Sequence, residues 1–108
     1  MAIARLDGSK ILDWDSFHDA SARELGFPSF YGRNLDAWID CLSYLDEGDG
    51  MSRFTLAPGE VLNLEVLASD DLKRRAPNIF GAVVDCARFV NKRYVERGKE
   101  PLVRLVLK

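Results

Sequence analysis

The chain has 108 residues, 47% of them hydrophobic and 30% charged, and carries a net charge of −2. That is the size and composition of one soluble domain, spanning 1–108, able to bury a core without disulfides or a structural metal. No run reaches the ~18 apolar residues of a membrane span. The opening MAIARLDGSK lacks the apolar stretch and small-residue cleavage site of a secretory signal, so residence in the cytoplasm is expected.

Residues 2–6 alternate apolar and polar and predict a strand, closed by a turn at Asp7-Gly8. A first helix is expected from Asp13 or Asp15 to Leu25, with Trp14, Phe17, His18, Ser21 and Leu25 on one seam. Gly26 stops it and Pro28 confirms the stop. The lone histidine, His18, lies among apolar neighbours and reads as packed and hydrogen-bonded. Asn34 is a good N-cap for a second helix reaching about Leu45, whose buried face is Leu35, Trp38, Ile39 and Leu42. Residues 46–52 read as a loop, Arg53–Leu56 as a short extended piece before Pro58-Gly59, and 61–66 as a second strand.

A short helix follows over Asp70–Arg75. A long one then runs from Pro77 or Asn78 to Arg97, with Phe80, Val83, Val84, Ala87 and Val90 or Asn91 inward and Gly98 as its stop. Residues 101–107 are apolar enough for a largely buried strand. Strands separated by helices imply crossover connections, hence an α/β fold with a parallel sheet of three strands and four helices. Cys41 and Cys86 each sit in an apolar helical pattern and read as buried thiols.

Enzyme signatures are missing: there is no Gly-rich phosphate loop, no G-x-S-x-G elbow and no H-E-x-x-H. Asp36 and Asp40 lie on adjacent turns of one helix, side by side, which is a poor arrangement for a glycosidase pair. A divalent ion there needs more oxygen ligands than the helix offers. Charge is also uneven along the chain. Residues 1–50 hold ten acids and four bases, and residues 51–108 seven acids and eleven bases. Between Asn34 and Met51 stand Asp36, Asp40, Asp46, Glu47 and Asp49, with no base among them. Such a block repels nucleic-acid phosphates and suits a cationic partner. The two aspartates at i and i+4 also repel each other, and nothing in the local sequence relieves them. The basic residues Lys73, Arg74, Arg75, Arg88, Lys92, Arg93 and Arg97 offer the competing picture of an RNA-binding face, or simply a solvated helix surface.

The stretch FPSFYGRNLDAWIDCL, residues 27–42, resembles the barstar family, whose loop and second helix carry P-x-[YF]-Y-G-x-N-x-D-A-x-x-D-x-L. The order of elements along nearly the whole chain agrees. The resemblance implies a three-stranded parallel sheet packed by four helices, and an inhibitor that plugs the cationic active site of a ribonuclease. It implies no catalysis, no cofactor, no metal, no direct nucleic-acid contact and no membrane. Carried over by position, Phe30, Tyr31, Gly32, Asn34, Asp36, Trp38, Ile39 and Asp40 become partner-binding residues, with Asp40 as the dominant anchor and Asp36 as the second acid. Phe30 and Tyr31 would pack against the enzyme's catalytic groups, and Gly32 would let the backbone approach. Four departures stand out: Arg33 replaces an acid, Phe30 lacks a hydroxyl, the Trp38-Ile39 pair has its sizes reversed, and the segment from Asp46 to Glu60 is longer. Asp85 is the candidate for an acid on the last long helix. Alternatives on the same chain are an inhibitor of another cationic toxin enzyme and an RNA-binding domain.

Overall fold

The computed structural model describes all residues, 1–108. Strand β1 (Ala2–Asp7) leads through a 3-10 turn at Gly8–Lys10 into α1 (Trp14–Leu25) and α2 (Leu35–Cys41). After β2 (Leu62–Leu67) come α3 (Ser69–Arg75), α4 (Pro77–Glu96) and β3 (Val103–Leu107). The strands form one sheet in the order β1-β2-β3, and both pairs are parallel. Parallel neighbours need crossovers, and α1 with α2, then α3 with α4, supply them. The α/β architecture expected from the sequence is the one observed.

Register places Ala4, Leu64 and Leu105 abreast, with Ala2, Leu62 and Val103 one step before them. Ala2, Ala4, Leu6, Leu62, Leu64 and Val66 are buried, so this face meets the helices. The alternate residues Arg5, Asn63, Glu65 and Arg104 point the other way, where Glu65 takes both Arg5 at 2.9 Å and Lys108 at 3.5 Å. β3 is less buried than its composition suggests. It runs from Val103, and Leu107 is 51% exposed. β3 is one of the two edge strands of the sheet. Its outward backbone at Val103 is met by Asn91, whose Nδ2 donates to the carbonyl at 2.8 Å and whose Oδ1 accepts from the amide at 2.9 Å.

α1 begins with a capping box: Asp13 accepts from the Ser16 amide at 2.8 Å, and Ser16 Oγ accepts from the Asp13 amide at 3.0 Å. It ends at Gly26, whose φ of 66° is left-handed. A Cβ there would also stand 2.5 Å from that of Arg53, so glycine is needed on both counts. The loop 46–60 packs back onto this end, with the Arg53 amide and Ser52 Oγ both donating to the Leu25 carbonyl.

α4 buries Ile79, Val83, Cys86, Ala87, Val90 and Tyr94. That stripe is turned slightly from the expected one, leaving Phe80 and Val84 only half-buried. The turn brings Tyr94 inward, and this decides where α2 ends. The Tyr94 hydroxyl donates to the Leu42 carbonyl at 2.6 Å and accepts from the Leu45 amide at 2.9 Å. Both groups would otherwise continue the helix. Ser43 Oγ, donating back to the Ile39 carbonyl at 2.6 Å, tightens the same turn. α2 therefore stops at Cys41 rather than near Leu45, and residues 42–48 continue as turns.

Candidate functional site

Asn34 starts α2 as expected, its Oδ1 accepting from the Ala37 amide at 2.7 Å. One turn later the helix divides cleanly. Trp38 is fully buried, Ile39 nearly so and Leu35 partly, while Asp36 and Asp40 are exposed. Trp38 thus offers no surface to a partner, which corrects its place among the contact residues. Its indole stacks on Phe17 with centroids 6.4 Å apart, and Nε1 donates to Ser21 Oγ at 3.1 Å. A large residue sits here because this position faces α1. Ile39 lines the floor of a groove of about 490 Å³ between α2 and α4, with Trp14, Leu35, Asp36, Asp85 and Phe89 around it.

The loop before α2 is fastened to α1 at two points. The Tyr31 hydroxyl and His18 Nδ1 share a hydrogen bond of 2.6 Å, and the Tyr31 ring lies 4.7 Å from Phe27. Tyr31 therefore turns its hydroxyl inward, whereas its neighbour Phe30 is 74% exposed. The second fastening is Arg33, which reaches Asp19 at 2.8 Å and Asp15 at 3.2 Å. Arg33 has a left-handed φ of 53°, uncommon for a side chain of this size, and the two carboxylates hold it there. Gly32 is exposed and has no left-handed φ of its own. The left-handed residue of this loop is Arg33.

His18 is 6% exposed and ringed by Trp14, Phe17 and Tyr31. Burial, then the positive charge of Arg33, hold its pKa below the usual histidine value, against the opposing pull of Asp15 and Asp19. The unfolded chain then binds more protons than the folded one just below pH ~6.5, so stability falls as pH drops through that value. We expect the urea midpoint of the wild type to decrease between pH 7 and pH 5, and that of His18→Gln to change less. A wild-type midpoint constant over this range contradicts the assignment.

The two helix-two carboxylates are not equivalent. Asp40 accepts from Arg93 Nη1 of α4 at 2.7 Å, and the same nitrogen reaches Ser43 Oγ at 3.1 Å. Arg97, one turn on, lies over the rings of Tyr44 and Tyr94 and donates to the Ser43 carbonyl. Lys99 pairs with Asp46 at 2.6 Å and approaches Glu47 at 3.6 Å, holding the Asp46 carboxyl below its usual range. The base missing from the local sequence is thus supplied from residues 93–99. Much of the charge asymmetry between the two halves is cancelled by their folding together. Asp36 has no ion-pair partner and lies in the groove near Asp85, which itself faces Arg88 at 3.6 Å.

The sequence profile described as "Barstar (barnase inhibitor)" matches residues 1–106. The chain belongs to the barstar family. It is also 45% identical over 38 residues to the protein named "Putative ribonuclease inhibitor YrdF" of Bacillus subtilis (strain 168), a match spanning 35% of this chain and 42% of that protein. Within the family pattern, the residue exchanged for an acid at Arg33 is neutralised by α1 and takes no free positive charge to the acidic face. Sequence reasoning missed Arg93, since 53 residues separate it from Asp40. The one available signal was the excess of bases in the second half of the chain.

Proposed function

We propose that this barstar-family protein inhibits a ribonuclease by binding and covering its active site, without catalysis of its own. The observation that carries this reading is the split of α2. Packing accounts for Leu35, Trp38, Ile39 and Leu42, and capping for Asn34, yet Asp36 and Asp40 both face solvent, Asp40 with Arg93 alongside it, and Phe30 of the preceding loop is exposed too. Carboxylates at this spacing suit the cationic groups with which a ribonuclease handles phosphates, and apolar neighbours exclude water around such contacts. Phe30, Asp36 and Asp40 form the centre of the contact, with Tyr31, Gly32 and Asn34 shaping the loop and Ile39 at the groove side. Trp38 supports them from beneath.

The RNA-binding alternative is disfavoured by the pairing of the basic residues. Arg74 and Arg75 share Asp71, Arg88 faces Asp85, Lys92 faces Glu96 and Arg93 holds Asp40. Phosphates approaching this face would meet an acid beside most of its bases, Lys73 and Arg97 excepted. The direct test is a panel of small secreted bacterial ribonucleases, assayed on RNA with the protein in molar excess. Stoichiometric inhibition of at least one is expected; full activity of all of them would overturn the proposal. Capture of a non-ribonuclease enzyme by the wild type but not by Asp40→Ala would redirect it to another cationic toxin.

A further inference from the structure

We infer that the enzyme surface fitting this face is bipolar: beside the cation that meets Asp40 and Asp36, it carries a carboxylate that engages Arg93. This deepens the inhibitor reading and rests on it. Asp40 and Arg93 are in contact at 2.7 Å, yet their side chains remain 61% and 44% exposed. Any partner that covers Asp40 therefore also covers Arg93.

Arg93 is tethered beside Asp40 by two contacts. Its Nη1 is shared between Asp40 and Ser43 Oγ, and Ser43 is itself buried and fixed to the Ile39 carbonyl and to Arg97. The remaining guanidinium donors have no partner within the chain. Covered by a uniformly cationic surface, they would lie unpaired next to like charges, a juxtaposition that opposes binding. A carboxylate meets the planar fork of donors in two parallel bonds and cancels the charge. Arg97 extends the same positive edge, laid over Tyr44 and Tyr94. The face thus presents Asp36 and Asp40 of α2 next to Arg93 of α4 and Arg97 just past its end, with the ion pair at their seam. Such an arrangement selects among cationic enzymes, because those without the matching acid meet Arg93 as a repulsive group.

The test uses the ribonuclease that the wild-type chain inhibits best in the panel above. Inhibition constants are measured for Arg93→Ala, Arg93→Lys, Asp40→Asn and the double variant Asp40→Asn/Arg93→Ala, with thermal unfolding as the check on folding. Arg93→Ala is expected to weaken inhibition by about tenfold or more, in the wild-type and in the Asp40→Asn background alike, while Arg93→Lys retains part of the loss. A residue that only orients Asp40 would show no effect once Asp40 is neutralised. Unchanged or tighter inhibition by Arg93→Ala in the Asp40→Asn background therefore overturns the bipolar surface, while leaving the inhibitor reading intact. Failure of the wild type to inhibit any enzyme of the panel overturns both.

Discussion

Asp40→Ala is expected to weaken ribonuclease inhibition more than any other single change on this face. Truncating one member of a hydrogen-bonded charge pair that becomes buried on binding costs about 2–5 kcal/mol, or roughly thirty-fold to several-thousand-fold in the inhibition constant. Most of the effect should lie in the dissociation rate, because the partner's cation is left covered and unpaired. Folding should be little affected. Asp40 is exposed, and its pair with Arg93 is a surface ion pair of the kind worth about 0–1 kcal/mol. Asp36→Ala should have a smaller effect on the same scale. Inhibition titrations and unfolding curves on the same preparations separate the two quantities. An Asp40→Ala protein that inhibits as well as the wild type would remove α2 from the centre of the contact.

Trp38→Ala is expected to give the opposite division. The indole is fully buried against Phe17 and bonded to Ser21. Removing it opens a cavity and leaves Ser21 Oγ without its donor, at a cost of about 3–5 kcal/mol. For a domain of this length the melting temperature should fall by roughly 10 °C or more. The fraction that stays folded at low temperature should still bind, since Trp38 has no exposed surface to contribute. Trp38→Phe, which fills most of the space, should lose less stability. Normal melting combined with lost inhibition would show instead that the indole reaches the interface.

These two residues are neighbours in sequence pattern and opposites in role, which shows how the site was legible and where it was not. The period of 3.6 residues places Trp38 and Ile39 on one side of α2 and Asp36 and Asp40 on the other, and the structure keeps that division. Caps at Asp13 and Asn34 and the stop at Gly26 are equally local, and each was readable from residue type. By contrast, the motif at 27–42 carried Trp38 into the list of contact residues along with its neighbours. Burial overrides that, because a position facing α1 has no surface to offer. Likewise, no pattern in 31–33 reveals that Tyr31 turns to His18 or that Arg33 reaches across to α1.

What the sequence determined by itself was therefore whatever depends on a few consecutive residues: the strands and helices, the faces of α2 and the exposure of its aspartates. Tertiary structure decided whatever depends on groups brought together from afar. Tyr94 ends α2 early by taking the backbone groups that would have extended it. β3 lies at an edge of the sheet and is half-exposed, which its apolar composition did not reveal. Above all, Arg93 crosses 53 positions of sequence to stand beside Asp40. Charge interactions act through distance in space and are blind to distance along the chain. An acidic helix with no base in its own stretch of sequence thus becomes, once folded, one half of a mixed-charge face.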